Sequence, residues 1–205
     1  MSNITAKTQA RRLAEMLIAQ AKENEPPITA GLQNIAVKVS AAIIGLENKF
    51  KTEESLSRKL LLLVKKNNSN QSARQKLEKF ARRNNDTLRY TFILPADQYA
   101  EGFHKAIEKL EQNGFIIPQN RIWNAWKNAG TARDTGYRGI NITVISSQNQ
   151  RVELQFHTED SFQLKTKTHH FYEALRELKI SDRQRGKIIK VMLILAKQVE
   201  RPKGT

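Results

Sequence analysis

Residues 139–158, GINITVISSQNQRVELQFHT, contain two runs in which apolar and polar residues alternate, separated by the polar segment 146–150. Alternation with a period of two is typical of strands, because successive side chains point to opposite faces of a sheet. In the second run, three apolar residues predict one buried face: Val152, Leu154 and Phe156. The opposite face carries three polar residues: Glu153, Gln155 and His157. We therefore predict two strands joined by a polar turn.

The segments on either side of this strand pair predict the rest of the fold. β-branched and aromatic residues predict strands over 87–94, 115–117 and 121–126, with Trp123 and Trp126 in the core. Helical spacing predicts helices over 5–24, 29–46, 55–64, 72–82, 96–113, 161–177 and 181–199. Pro26 and Pro27 are expected to end the first helix, and Thr29 and Ser55 to cap the next two. This order predicts an α+β domain whose mixed, mainly antiparallel sheet is flanked by helices, with helical segments at both ends.

The composition excludes several classes of protein. The chain has 205 residues and no Cys, which excludes disulfides, thiolate metal sites and Cys nucleophiles. The longest apolar stretch, residues 60–64, is too short to cross a bilayer, and the first residues lack the apolar core of a signal peptide. We therefore expect a cytoplasmic protein without a membrane partner.

The net charge of +15 predicts a polyanionic partner or substrate. The charge is uneven along the chain. Residues 61–91 contain eight basic and two acidic side chains, and residues 159–205 contain eleven and six. Residues 92–158 are almost balanced, with seven and six. The basic segments favour contact with RNA, although a site that handles two polyphosphates also needs positive charge.

Two clusters in the first half of the chain are candidates for phosphate binding. Lys49, Lys51, Ser55 and Lys59 lie in and after a basic turn, where ammonium groups beside the first amides of a helix can hold a triphosphate. A solvated basic turn is the alternative. Asp86 and Arg89 stand at the start of the 87–94 strand, where they can bind Mg²⁺ and phosphate, or form a surface ion pair.

Two further clusters lie around the strand pair. In 136–141, GYRGIN, Gly residues allow a ligand to approach the backbone, and Tyr137 offers a ring on which a base can stack. Glu153 can bind a metal or act as a general base, unless its strand face simply meets solvent. His169 and Tyr172 lie on the following helix.

Taken in order, these clusters resemble the synthetase domain of the RelA/SpoT family, whose members transfer pyrophosphate from ATP to a nucleotide 3′-hydroxyl. The resemblance covers about residues 45–175. It implies a nucleotidyltransferase-like synthetase domain at 45–178, a helical extension at 1–44 and a basic C-terminal helix at 179–205. Four positions depart from the family pattern. Lys49 and His157 replace Arg, Asn141 replaces His, and Asp86 lies closer to Arg89 than is usual.

The resemblance also implies roles for individual residues. ATP is expected to be bound by Lys49, Lys51, Ser55, Lys59 and Arg89. The acceptor is expected to contact Tyr137, Arg138, Asn141, Gln155, His157 and His169. Asp86 and Glu153 are expected to be catalytic and to hold Mg²⁺, the one cofactor.

The implied activity is a 3′-pyrophosphokinase that makes (p)ppGpp or (p)ppApp from ATP and a purine nucleotide. The sequence of residues 155–170 is similar to that of a divergent branch of toxins and phage-linked proteins. This similarity implies an antitoxin or immunity protein as a partner. It also implies that the protein acts in the cytoplasm of a target cell. Two alternatives stay open. In the first, the acceptor is a tRNA 3′ end, and its modification blocks translation. In the second, the chain is a non-catalytic, basic nucleic-acid-binding protein. The sequence sets no oligomeric state.

Overall fold

The computed structural model describes residues 5–131, 134–175 and 180–205. The helices are Ala6–Lys38 (α1), Glu53–Lys66 (α2), Ala73–Arg83 (α3), Tyr99–Gln112 (α4), Glu159–Leu175 (α5) and Asp182–Ala196 (α6). The strands are Ala42–Ile44 (β1), Leu88–Ile93 (β2), Ile122–Asn124 (β3), Ile140–Ile145 (β4) and Arg151–His157 (β5). The segment between the predicted 121–126 strand and the 136–141 segment, and the end of the predicted 161–177 helix, fall partly outside the described residues.

The five strands form one sheet in the order β1-β2-β5-β4-β3. β2 and β5 are parallel, and the other three pairs are antiparallel. This confirms the predicted α+β fold with a mixed, mainly antiparallel sheet. The register of the parallel pair places Arg89 opposite Glu153, so both side chains point to the same face.

Two hydrophobic clusters stabilise the fold. The larger one lies between the sheet and the helices α1 and α4, and it includes Phe92, Phe103 and Phe156. The smaller one joins the N-terminal half of α1 to α2 and α3 through Leu56, Leu60 and Leu77 among others. Because α1 contributes to both clusters, it connects the α2–α3 pair to the sheet.

The prediction that Pro26 and Pro27 end the first helix was wrong, since α1 continues through both. A proline inside a helix costs about 3 kcal/mol, mainly through a lost hydrogen bond and a steric clash. Ala21 and Ile28, on either side of the prolines, are both fully buried in the larger cluster, and this packing offsets the cost. Thr29 therefore lies inside the helix, where its hydroxyl contacts Tyr90 instead of capping.

Other local predictions also differ from the structure. The predicted 29–46 helix ends at Lys38, and β1 follows it and pairs with β2. Thr52, not Ser55, caps α2, because its hydroxyl accepts the Ser55 N–H. The predicted strand at 115–117 is reduced to a single bridge between Ile116 and Ile145. The division into segments 1–44, 45–178 and 179–205 stays a prediction. Among the described helices, none has the length and apolar character needed to cross a membrane.

Candidate functional site

One cleft of about 690 Å³ brings together most of the predicted site residues. It lies over the polar face of the sheet, between the N-terminal half of α2 and the helices α5 and α6. The predicted residues that line it are Lys51, Ser55, Lys59, Asp86, Arg89, Tyr137, Asn141, Glu153, Gln155 and His169. Residues separated by more than 100 positions in the chain are therefore neighbours in one cleft.

Asp86 holds two lysines at one side of the cleft. Its Oδ2 lies 2.8 Å from Nζ of Lys51, and its Oδ1 lies 2.6 Å from Nζ of Lys59. The side chains of Lys51 and Asp86 are only 6% and 13% exposed. Burial alone would raise the pKa of Asp86, but Lys59 and Lys51 outweigh it and lower the pKa to about 2. Asp86 is therefore ionised at neutral pH, and each of its oxygens accepts from an ammonium group.

Glu153 lies at the centre of the cleft floor, beside Arg89 on the adjacent strand. Its Oε1 accepts from Nε2 of Gln155 at 3.1 Å and from Nδ2 of Asn141 at 3.5 Å. Both partners are neutral amides that orient the carboxylate. A carboxylate held in this way can accept a proton from a substrate hydroxyl within hydrogen-bond reach.

Tyr137 is fixed by hydrogen bonds at its hydroxyl group. The hydroxyl donates to Oδ1 of Asn141 at 2.6 Å and also lies 2.9 Å from Nε2 of His157. Nδ1 of His157 in turn lies 3.0 Å from Oγ of Ser161. Burial and the charge of Lys165 lower the pKa of His157 to about 3, so the imidazole is neutral. His157 thus lies behind Tyr137 and does not line the cleft.

Gly139 makes room for this arrangement. Its φ is +152°, and a Cβ at this position would lie 2.9 Å from Cε1 of His157 and 2.9 Å from the carbonyl oxygen of Phe156. Neither neighbour can move without disturbing β5. The second Gly of the GYRG segment therefore allows His157 to reach the hydroxyl of Tyr137.

Trp123 is in the cleft, and the prediction that it lies in the core was wrong. It is 43% exposed, whereas Trp126 is completely buried as predicted. The rings of Trp123 and Tyr137 stack with their centroids 5.3 Å apart and their planes inclined by 18°. Trp123 lies on the edge strand β3 opposite Asn141. The sequence of β3 alone carries no sign of this pairing.

Two predicted site residues have partners away from the cleft. The guanidinium of Arg138 donates to both carboxylate oxygens of Asp134 at 2.8 and 3.1 Å, and the two side chains are 7% and 6% exposed. Asp134 also accepts the N–H groups of Gly130 and Gly136, so the pair fixes the backbone before Tyr137. Lys49 forms an ion pair with Glu25 of α1 at 2.9 Å.

Lys165 is a cleft residue that the sequence did not predict. It projects from α5, and its Nζ donates to Oε1 of Gln155. Burial and the charge of Arg89 lower its pKa to about 8, so it is mostly protonated at neutral pH. Lys165 lies in a helix that carries other polar and charged residues, and nothing in that sequence distinguishes it from a surface lysine.

The cleft fits Mg²⁺ only in part. Among the described residues, no group of three or more Asp, Glu or His side chains is arranged to hold a metal. Mg²⁺ commonly needs only one or two carboxylates when substrate phosphates supply the other ligands. Glu153 fits that role because its partners are neutral amides. Asp86 does not fit as arranged, because an ammonium group already occupies each of its oxygens.

Comparison with known proteins identifies the fold. No protein-family model matches the chain, and no curated protein matches it in sequence. Solved structures match most of the chain. Small alarmone synthetase 1 from Bacillus subtilis, bound to its product pppGpp, is 10% identical with a TM-score of 0.57, over 90% of this chain and 91% of that chain. Small alarmone synthetase 2 from Bacillus subtilis is 12% identical with a TM-score of 0.55, over 88% and 92%. The chain therefore has the fold of the small alarmone synthetases, as the sequence predicted.

A type VI effector also shares this fold. The type VI effector Tas1, solved in complex with its immunity protein, is 16% identical to this chain with a TM-score of 0.53, over 90% of this chain and 96% of that chain. The same architecture is thus present in synthetases and in an effector.

Proposed function

We propose that the chain is a pyrophosphokinase that transfers pyrophosphate from ATP to the 3′-hydroxyl of a purine nucleotide. The observation that carries this proposal is the position of Glu153. This carboxylate lies in one cleft with four cationic side chains and a stacked aromatic pair, which are the groups needed for a polyphosphate, a hydroxyl and a base.

ATP binds at the side of the cleft formed by α2 and β2. Lys51, Lys59 and Arg89 contact its phosphates, and Ser55 lies in the first turn of α2, where backbone N–H groups favour an anion. Asp86 keeps the two lysines in place before ATP arrives. This preorganisation reduces the reorganisation needed when the triphosphate binds.

The acceptor binds at the opposite side, formed by β3, β4 and α5. Its base stacks on the Trp123–Tyr137 pair, and its sugar faces Glu153. Asn141 and Gln155 hold the carboxylate, and His157 acts through the hydroxyl of Tyr137. His169, on the cleft wall, is available to the acceptor phosphates.

Glu153 takes the proton of the acceptor 3′-hydroxyl as its oxygen attacks the β-phosphorus of ATP. The bond between the β-phosphorus and the bridging oxygen of the α-phosphate breaks, and AMP leaves with that oxygen. Mg²⁺, bound by Glu153 and by phosphate oxygens, would neutralise charge on the transferring group. Positioning and charge neutralisation supply most of the rate in reactions of this type.

We further propose that the product is (p)ppGpp or (p)ppApp and that the chain acts as a toxin neutralised by an immunity protein. Support comes from the fold shared with Tas1, which was solved with its immunity protein. At 16% identity this likeness supports the architecture, and the assay below tests the identity of the product.

The test is incubation with γ-³²P-labelled ATP and Mg²⁺, with guanosine nucleotides, adenosine nucleotides or total tRNA as acceptor. Thin-layer chromatography separates labelled nucleotides, and gel electrophoresis separates labelled RNA. We expect transfer of label to a purine nucleotide, together with release of AMP, which keeps only the unlabelled α-phosphate and is detected by its ultraviolet absorbance. Label in tRNA would replace the nucleotide acceptor with an RNA 3′ end. Absence of AMP with every acceptor, together with salt-dependent RNA binding, would favour a non-catalytic protein.

A further inference from the structure

The cationic side chains in the cleft fall into two groups. Lys51 and Lys59 share the carboxylate of Asp86, which neutralises part of their charge. Arg89 and Lys165 differ, because among the described residues neither has a carboxylate oxygen within ion-pair distance, and Glu153 acts on Lys165 only through its nearby charge. The cleft therefore contains two cations that face one carboxylate, Glu153, without forming an ion pair with it.

These two cations are placed around the same carboxylate. Arg89 lies on β2 directly opposite Glu153 on β5. Lys165 reaches down from α5 to the amide of Gln155, the next residue on the same face of β5. Arg89 and Lys165 are close enough for the charge of Arg89 to disfavour protonation of Lys165, which helps to lower the Lys165 pKa.

Like charges gathered in a partly buried cleft are unfavourable unless an anion completes the arrangement. The ammonium group of Lys165 is held in place by two contacts. Its Nζ lies 5.3 Å from the ring centroid of Phe162, and it donates to Oε1 of Gln155. An ammonium group that is held in place by neutral hydrogen-bond and ring partners is suited to bind a phosphate.

We propose that Lys165 and Arg89 form a phosphate-binding pair that holds one phosphate of a bound nucleotide beside Glu153. The ligand class is a nucleoside polyphosphate. The proposed contact of Arg89 with ATP favours a phosphate of ATP, and the titrations below compare ATP with the acceptor. The pair deepens the proposed function and rests on it for the identity of the nucleotide. Binding of the phosphate itself does not depend on turnover.

The experiment is calorimetric titration of the full chain with inorganic pyrophosphate. The variants are Lys165→Met, Lys165→Arg and the matched control Lys167→Met, which removes an exposed lysine from the same helix. We expect Lys165→Met to weaken binding by about tenfold or more, the effect of losing one charge-assisted contact. Lys165→Arg should keep most of the affinity, and Lys167→Met should match the unchanged chain. Far-UV circular dichroism checks folding, and Lys165→Gln replaces Lys165→Met if that variant does not fold.

Unchanged affinity in Lys165→Met would overturn the proposal, because it would mean that Lys165 only tethers Gln155. If pyrophosphate binding does weaken, titration of Lys165→Met with a non-hydrolysable ATP analogue and with GDP or ADP identifies the nucleotide that carries the bound phosphate. Only that nucleotide should bind the variant more weakly. If pyrophosphate binding depends on Lys165 and no acceptor yields AMP, the phosphate site stands and the proposed transferase activity fails. If AMP forms but Lys165→Met binds pyrophosphate normally, the proposed transferase activity stands and the proposed phosphate site fails.

Discussion

The hydroxyl of Tyr137 lies 2.9 Å from Nε2 of the fully buried His157, and the same hydroxyl donates to Asn141. His157 and Asn141 are both positions where the sequence departs from the RelA/SpoT pattern. The structure shows that both departures contact one atom of the predicted base-stacking residue. The two substitutions are therefore a matched pair, and changing either one alone leaves Tyr137 without one of its partners.

The first prediction concerns stability against pH. The pKa of His157 is lowered from 6.5 to about 3, so the unfolded chain binds one proton more than the folded chain between these values. The stabilisation is complete above about pH 6.5 and falls as the pH drops, by up to about 1.4 kcal/mol per pH unit. Urea unfolding at pH 7, 6, 5 and 4 should show the free energy of unfolding falling with pH in this way. In His157→Gln the part of this fall that is due to His157 should be absent. The control His104→Gln, at an exposed position, should keep it.

The second prediction concerns Glu153. Glu153→Gln keeps the size of the side chain and one acceptor oxygen for Asn141 and Gln155 but removes its charge and basicity. We expect kcat for AMP release to fall by about 100-fold or more, while nucleotide binding without metal changes little. Glu159→Gln, which removes an exposed carboxylate at the start of α5, is the control. Full AMP release by Glu153→Gln would rule out the proposed base.

The third prediction concerns Asp86. Asp86→Asn leaves the buried Lys51 and the nearby Lys59 without their shared carboxylate, and we expect a loss of about 3 kcal/mol in the free energy of unfolding at pH 7. Because the folded pKa of Asp86 is lowered to about 2, the difference between the two proteins should be full above about pH 4 and shrink as the pH falls toward 2. A difference that does not change with pH would show that the two lysines do not depend on the charge of Asp86.

The fourth prediction uses the two tryptophans. Trp123 is exposed in the cleft and Trp126 is buried, so ligand-induced quenching should come from Trp123 alone. Purine nucleotides should quench the fluorescence more than pyrimidine nucleotides do, because they offer a larger surface for stacking. Trp123→Leu should abolish the quenching and raise the acceptor KM. Quenching that persists in Trp123→Leu would place the base elsewhere.

The fifth prediction separates two neighbouring lysines. The side chain of Lys49 pairs with Glu25, whereas that of Lys51 lines the cleft. We expect Lys51→Met to raise the KM for ATP by about tenfold, and Lys49→Met to change it by less than about threefold. An equal rise in the KM for ATP in both variants would mean that Lys49 also contacts ATP.

Local patterns in the sequence predicted most of the elements and the face of β5 that carries Glu153. Alternation was sufficient there because β5 has one face in the core and one face in the cleft. The same reasoning failed at Pro26 and Pro27, where packing against the sheet outweighs the local preference of proline. It also failed at β1, a short edge strand whose pairing with β2 depends on residues about fifty positions away.

The site was predictable only where a recognisable motif was present. Glu153, Tyr137 and Lys59 belong to such motifs, and all three line the cleft. Trp123 and Lys165 do not, because their positions depend on how β3 pairs with β4 and how α5 lies over β5. Long-range pairing of this kind leaves no periodic signal in the chain.

The unbroken α1 has a mechanical consequence. Its N-terminal half packs on the α2–α3 pair, which carries Lys59, and its C-terminal half packs on the sheet, which carries Glu153. One helix thus packs against both of the elements that form the walls of the cleft. A partner protein that bent this helix at a distance from the cleft would change the spacing of the two walls without contacting either substrate.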